Sequence, residues 1–306
     1  MAGIILKPRA RILHGHDWVF ASEVLKVFGK PNDGDVISIK DGRDHPIGSA
    51  IYNSRSQIVA RRFSRRKQDL DLDFFTRRIE QAIEYRSRRG IDPKLARLVW
   101  SESDGLPGVI VDRYDDFAVL QTLTLGMDMR KQLIVEALRK LLPQVSIFER
   151  NDAPVRKAEG LELKTGILEG AAPSAPTIVK ISGAPQSLQF EVDLLHGHKT
   201  GFYLDQRENY GVVAEAAGGR RVLDCFCNQG AFALFCASAG ATDVTGVEEN
   251  ASSVESGKAN AEHFTGFAIE HDNTYLLEDL PDFGFVSAFI IVIAEHGDDG
   301  DFDGRM

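Results

Sequence analysis

From about residue 196 onward the chain alternates between two hydrophobic periods: helix over 205–217, strand over 221–226, helix over 232–239, strand over 244–248, helix over 252–263 and strand over 267–271. Alternation of this kind implies parallel strands joined by helical crossovers, and it constrains the fold more than any other feature of the sequence. Sheets built this way bind small molecules outside the carboxyl ends of their strands, so the residues that end each strand carry the functional information.

The first of these strands runs Arg221-Val-Leu-Asp224-Cys-Phe226-Cys-Asn228-Gln-Gly230-Ala-Phe232 into a turn and then a helix. Asp224 sits at the carboxyl end of the strand, and Gly230 lets the backbone come close to a ligand. The next strand ends in Glu248, 18 residues after Gly230, positioned to accept hydrogen bonds from both hydroxyls of a ribose. The third ends in His271-Asp272-Asn273, a polar cluster able to reach an adenine edge. Between Asp224 and Phe232 there is one glycine where a pyrophosphate turn uses three, which disfavours a dinucleotide. A carboxylate at Asp224 suits a cationic ligand such as S-adenosylmethionine, with its ammonium and sulfonium groups. The plainer alternative is that Asp224 caps a helix and Glu248 is a solvated strand end.

Residues 1 to about 70 read as short strands: Trp18–Phe20, Val24–Phe28, Asp35–Lys40, Pro46–Tyr52 and Gln57–Phe63, with turns at 30–34 and 40–44. Their spacing suggests a small β-barrel. The segment from Phe74 to about Gly90 has helical period, with Phe75, Ile79, Ala82, Ile83 and Tyr85 largely on one face and a glycine stop. Two strands around Asp115-Asp116 read as a hairpin, followed by a helix from Met129 to Leu142 closed by Pro143, strands over 145–149 and 188–193, and a loop over 170–176. The expected division is a barrel over 1–72, an α+β domain over 73–195, the α/β sheet over 196–296 and an acidic disordered tail over 297–306.

The net charge of −9 conceals a division along the chain. Residues 1–240 hold 34 Lys+Arg against 30 Asp+Glu, whereas residues 241–306 hold 2 against 15. Within the first hundred residues the ratio is 20 to 12, so an acidic molecule can still present a basic face to a polyanion. Candidate phosphate contacts are Arg61, Arg62, Arg65, Arg66 and Lys67, with Lys7, Arg9 and Arg11 near the start. Phe63, inside that run, either stacks on an unpaired base or closes the barrel core. No apolar run approaches the roughly 18–20 residues a membrane span needs, and a cytoplasmic, membrane-free protein is expected. Cys225, Cys227 and Cys236 are an odd number in one short stretch, which argues against a disulfide framework and falls short of a closed metal site.

The stretch 222–232 together with Gly246-Val-Glu248 resembles motifs I and II of class I S-adenosylmethionine-dependent methyltransferases. More specifically, Gly197-His-Lys-Thr-Gly-Phe-Tyr-Leu-Asp-Gln-Arg-Glu-Asn209 and Gly15-His-Asp-Trp-Val-Phe20 resemble segments of the ribosomal RNA large subunit (cytosine-C5) methyltransferase I family. The likeness covers roughly residues 5–275. It implies an N-terminal PUA-like barrel that binds RNA, an α+β middle domain and a Rossmann-like sheet that carries S-adenosylmethionine. It assigns Gln206, Asp224, Phe226, Asn228, Gly230, Glu248, Asp272 and Asn273 to the cofactor, with Phe202, Tyr203 and Leu204 as a wall that could equally be core packing. The implied partner is 23S ribosomal RNA, in rRNA processing.

Carbon 5 of cytosine is a poor nucleophile, so such chemistry needs a cysteine thiolate to add at carbon 6. Family members carry Asp-Pro-Pro at the end of the fourth strand and the cysteine downstream. Here the matching strand, Ala288 to Ile293, leads into Ala294-Glu295-His296, and no cysteine follows. The expectation is therefore an incomplete sheet in the order 3-2-1-4, a truncated or frame-altered C-terminus, no assignable catalytic residue and impaired turnover. A non-enzymatic RNA-binding protein is the alternative.

Overall fold

The computed structural model of this chain describes residues 2–173, 176–182, 186–195, 197, 199–262 and 264, and the backbone of 289–293. It divides into two compact units: Met1–Ala175 with Asp193–Phe202, and Pro176–Val192 with Tyr203–Met306.

The first unit opens with β1 (Gly3–Leu6), β2 (Trp18–Phe20), β3 (Val24–Phe28), β4 (Val36–Lys40), β5 (Pro46–Tyr52) and β6 (Ile58–Ser64). They form one sheet in the order β2-β6-β5-β4-β1-β3, curled into a half-barrel. Alternation decides which side chains fill it. In β4, Ile37 and Ile39 point inward while Ser38 and Lys40 are half-exposed, and Ile4, Leu6, Val19, Val59 and Ala60 complete the core. Strand β1 escapes the sequence reading because four residues carry little pattern; it pairs in parallel with β4 and antiparallel with β3. Gly3 is what permits this, since a Cβ there would lie 2.2 Å from the Ser38 carbonyl oxygen and 2.6 Å from the Phe28 ring.

Helix α1 (Leu72–Arg88) starts where the Asp71 carboxylate accepts a 2.7 Å hydrogen bond from the Phe74 amide, and it buries Phe74, Phe75, Ile79 and Ala82. Tyr85, expected on that face, is 54% exposed and lies under Arg89 instead. Its position at the edge of the apolar stripe lets a ring with a polar hydroxyl turn to water. Next come β7 (Leu95–Trp100), β8 (Val109–Tyr114), β9 (Phe117–Thr122), the single turn α2 (Leu125–Asp128), α3 (Lys131–Leu141), β10 (Ser146–Asn151), the single turn α4 (Val155–Ala158) and β11 (Lys164–Glu169). The sheet order is β11-β10-β9-β8-β7. Strands β8 and β9 form the expected hairpin at Asp115-Asp116, and α3 carries the chain across to β10, parallel to β9. Both α1 and α3 cover one face of this sheet, in a core that includes Leu98, Val111, Leu120, Ile134, Leu138 and Ile147.

The second unit holds the hairpin β12 (Thr177–Ile181) and β13 (Leu188–Val192), then α5 (Arg207–Glu215), β14 (Arg221–Cys225), α6 (Ala231–Ser238), β15 (Asp243–Val247), α7 (Ala251–Glu262) and β16 (Phe289–Ile293). Strands β14 and β15 are parallel, with Asp224 opposite Gly246. Helix α6 is apolar almost throughout and lies buried, Phe235 stacking on Phe190 and on Tyr210. The three-stranded order is β15-β14-β16, which puts β16 on the side of β14 expected for the fourth strand. Its direction is antiparallel, however, with Cys225 opposite Phe289, where the alternation predicted parallel strands. The free edge of β14 needs its backbone groups paired, and an apolar segment satisfies them in either direction. The expected strand over 267–271 and the tail over 297–306 lie outside the described residues.

Candidate cofactor site and nucleic-acid interface

The site at the end of β14 is built by a turn that the backbone holds tightly. Phe226, Asn228 and Gly230 have φ of 66°, 51° and 78°, all left-handed, and Gly230 caps α6. Such conformations in Phe and Asn cost on the order of 1–3 kcal/mol each and persist only where surroundings enforce them. Those surroundings are three hydrogen bonds: the Cys227 amide donates to the Val247 carbonyl at 2.9 Å, the Gly230 amide to the Cys227 carbonyl at 2.8 Å, and the Asn228 amide to Glu248 Oε2 at 2.8 Å. The Asn250 amide donates to the other oxygen, Glu248 Oε1, at 2.9 Å. Glu248 is thereby fixed by both oxygens, with acceptor capacity left on each.

Asp224 is 1% exposed and accepts a hydrogen bond, 3.1 Å from the Ala233 amide in the first turn of α6. Burial pushes its carboxyl up to about 7; the Ala233 amide opposes this and the Glu248 charge adds to it. A carboxylate so placed, with a second one nearby, is short of positive charge. The two carboxylates fit a nucleoside carrying an ammonium group: a cation at Asp224 and hydroxyl donors at Glu248.

Gln206 ends the 3-10 turn before α5, half-buried, its Oε1 accepting from Asn209 Nδ2 at 2.9 Å. Tyr203 belongs to the same unit, and its hydroxyl is pushed up by burial and then by the Glu248 and Asp205 charges, so it stands near Glu248. Phe202 sits in the first unit, 2% exposed, with its amide donating to Tyr114 Oη at 3.1 Å. It packs there as core, the second of the two readings. Phe226 is 43% exposed. Asp272 and Asn273 lie outside the described residues. Asp224, Phe226, Asn228, Gly230 and Glu248 thus come together at one end of the two parallel strands.

The basic residues separate into two groups. Arg62 is 7% exposed and bound to Asp17 at 2.7 Å; Arg61 meets Glu102 at 3.2 Å and Glu159 at 3.4 Å and lies 5.3 Å over the Trp18 ring. Lys7 donates to the Ser22 carbonyl at 2.7 Å, and Arg11 covers Phe20 with Glu23 at 3.7 Å. Arg9, Arg65, Arg66 and Lys67 are exposed. Phe63 is 3% exposed and meets Phe74 edge-on at 5.3 Å, so it closes the core against α1.

Residues 4–65 match the family described as PUA-like domain. Ribosomal RNA large subunit methyltransferase I of Aeromonas hydrophila is 40% identical over 264 residues, which cover 84% of this chain and 65% of that protein. The protein of the same name from Photobacterium profundum is 36% identical over 272 residues, covering 87% of this chain and 67% of its own length. The chain belongs to the ribosomal RNA large subunit methyltransferase I family. It spans about two thirds of the length of the curated relatives it matches. Among solved structures, a candidate SAM-dependent methyltransferase from Streptococcus mutans aligns with TM-score 0.71 at 21% identity, over 86% of this chain and 67% of that one. A candidate methyltransferase complexed with SAH aligns with TM-score 0.71 at 20% identity, over the same shares. At these identities they establish the fold: a PUA-like domain and a Rossmann-like methyltransferase sheet.

In this methyltransferase I family chain, the Gly15–Phe20 motif has a structural role that its sequence did not reveal. Trp18 Nε1 donates to Glu102 at 2.7 Å and Asp17 holds Arg62, so the motif ties the half-barrel to the turn after β7. Cys227 packs against Gly246 and is pushed up to about 12 by burial first and then by Asp224 and Glu248; burial and Asp224 push Cys236 up to about 11 and raise Cys225 too. Among the described residues no group of three or more His, Cys, Asp or Glu side chains is placed to hold a metal ion, and no helix is long and apolar enough to cross a membrane.

Proposed function

We propose that this chain binds S-adenosylmethionine at the ends of β14 and β15, binds 23S ribosomal RNA through its basic N-terminal face, and descends from enzymes that methylate carbon 5 of a cytosine in that RNA. The observation that carries this reading is the pair Asp224 and Glu248 on neighbouring parallel strands, joined through the left-handed turn. The family membership and the PUA-like match support the RNA half. Its setting is the reducing cytoplasm.

When bound, S-adenosylmethionine supplies a methyl group activated by its sulfonium. Asp224 ionises against the ligand's ammonium, Glu248 accepts from the ribose hydroxyls, and Gln206, Phe226, Asn228 and Gly230 enclose the remainder. Asp272 and Asn273 are assigned to the adenine. A C5 methyl transfer also asks for a thiolate at carbon 6 and a base for the C5 proton. Burial raises all three thiols of these residues, and Ala294-Glu295-His296 stands in place of Asp-Pro-Pro. These 306 residues therefore bind without appreciable turnover. Incubation with unmodified 23S ribosomal RNA and tritiated S-adenosylmethionine should leave the RNA at background. Incorporation above background refutes the impairment, and RNA binding with no cofactor binding leaves a non-enzymatic RNA-binding protein.

A further inference from the structure

A cavity of about 570 Å³ opens in the first unit between three elements: the end of β6 with Arg62, Arg65 and Arg66, helix α1 with Arg78, and the turn after β7 with Glu102 and Asp104. That volume lies in the roughly 300–1,000 Å³ range of ligand sites. Its acids are already matched. Asp17 holds Arg62 at 2.7 Å, Glu102 holds Arg61 at 3.2 Å and Asp104 holds Arg86 at 2.8 Å. Three cations remain, and among the described residues Arg65, Arg66 and Arg78 have no carboxylate partner.

Arg78 is the informative one. The residue is half-buried, with its guanidinium 5.5 Å over the Phe74 ring and 3.5 Å from the Phe63 carbonyl oxygen. A Cβ on Gly105, whose φ is +69°, would come 3.2 Å from its central carbon. The side chain is therefore held in place by packing, with its charge unanswered, whereas Arg62 in the same cavity has Asp17 at 2.7 Å. Partly burying a cation without a counter-ion is costly unless an anion completes the site. With Arg65 and Arg66 exposed on the adjoining rim, the positive charge extends along a trough, which suits successive phosphates better than one small anion.

We infer that this cavity takes the phosphodiester backbone of single-stranded RNA, gripped by Arg65, Arg66 and Arg78, so that α1 contacts the nucleic acid together with the half-barrel. The inference rests on the RNA-binding reading above and adds Arg78, which lies on α1 outside the run of cations at 61–67. Phosphate contacts fix position and carry no base preference, so the loss on mutation is the same for any sequence.

The test uses the full 306-residue chain, a fluorescein-labelled single-stranded oligoribonucleotide and anisotropy at several salt concentrations. Arg78→Gln should weaken binding about three- to tenfold and reduce the slope of log K against log salt by about 0.7, while Arg78→Lys keeps most of the affinity. Arg65→Gln with Arg66→Gln, both on the rim, should act in the same direction without altering thermal unfolding. If the glutamine variants bind as tightly as the parent with the same slope, while Lys7, Arg9 and Arg11 variants weaken it, the inference fails and RNA binding stands. If inorganic phosphate displaces the RNA from the parent but not from Arg78→Gln, the cavity is a small-anion site and the inference is overturned. A parent chain that binds no RNA removes the RNA-binding reading and this inference together.

Discussion

Asp224 is ordinary by sequence and unusual by environment. Burial, with Glu248 adding to it, moves its carboxyl from 3.8 to about 7, so the folded chain holds this proton where the unfolded chain has released it. A raised carboxyl costs stability as pH rises from about 4 to about 7, and the cost is constant above that. Asp224→Asn should therefore stabilise the ligand-free chain at pH 8, on the order of a few kcal/mol, with the gain vanishing near pH 4 in chemical denaturation. A cationic ligand prefers the ionised form, so affinity for S-adenosylmethionine should rise with pH through about 7 and level off above it. Cys227 makes a second residue-scale prediction: with its thiol pushed up to about 12, it should resist iodoacetamide at pH 8 in the native chain and react on unfolding. The carboxylates at the strand ends were legible in the sequence because strand ends are where such sheets bind ligands. The fate of Arg61, Arg62 and Phe63 was not, since a run of cations around one aromatic reads alike whether it faces water or an internal acid.

At the scale of elements, period and punctuation carried most of the fold. Strands β2 through β6, helix α1 and the succession from α5 to α7 follow from alternation, helical period and the turn residues. What escaped were β1, too short to show a period, the strands β7, β11 and β12, and the direction of β16, which depends on the path of the chain between elements and not on the apolar run itself. The pairing of β14 with β15 has a steric signature in Gly246. A Cβ there would lie 2.9 Å from Cys227 Sγ. Gly246→Ala should destabilise the chain by about 1–3 kcal/mol, and Cys227→Ala in the same chain should recover much of that loss. Additive losses in the double variant would show that the glycine serves something other than the thiol.

For the whole molecule, buried charges as well as apolar contacts join the half-barrel and the second sheet within one unit. Glu159, 3% exposed, accepts from Asn53 Nδ2 at 2.9 Å and pairs with Arg61 at 3.4 Å. Losing Glu159 leaves Arg61 its Glu102 partner but removes the carboxylate that Asn53 donates to, so Glu159→Ala should cost about 1–3 kcal/mol, read by thermal unfolding of the full chain. An unchanged melting temperature would mean that apolar contacts alone hold the two sheets together. None of this seam was visible in the sequence, where Glu159 and Arg61 stand almost a hundred residues apart. The two-unit division itself depends on the segment Asp193–Phe202 returning to the first unit, a long-range event with no local signal.

The most direct measurement is calorimetric titration of S-adenosylhomocysteine into the folded chain and into Asp224→Ala, with circular dichroism confirming that both are folded. Saturable heat in the parent and none in the variant is the predicted result. No heat in the parent, or equal heat in both, would contradict a cofactor site built on the carboxylates of β14 and β15.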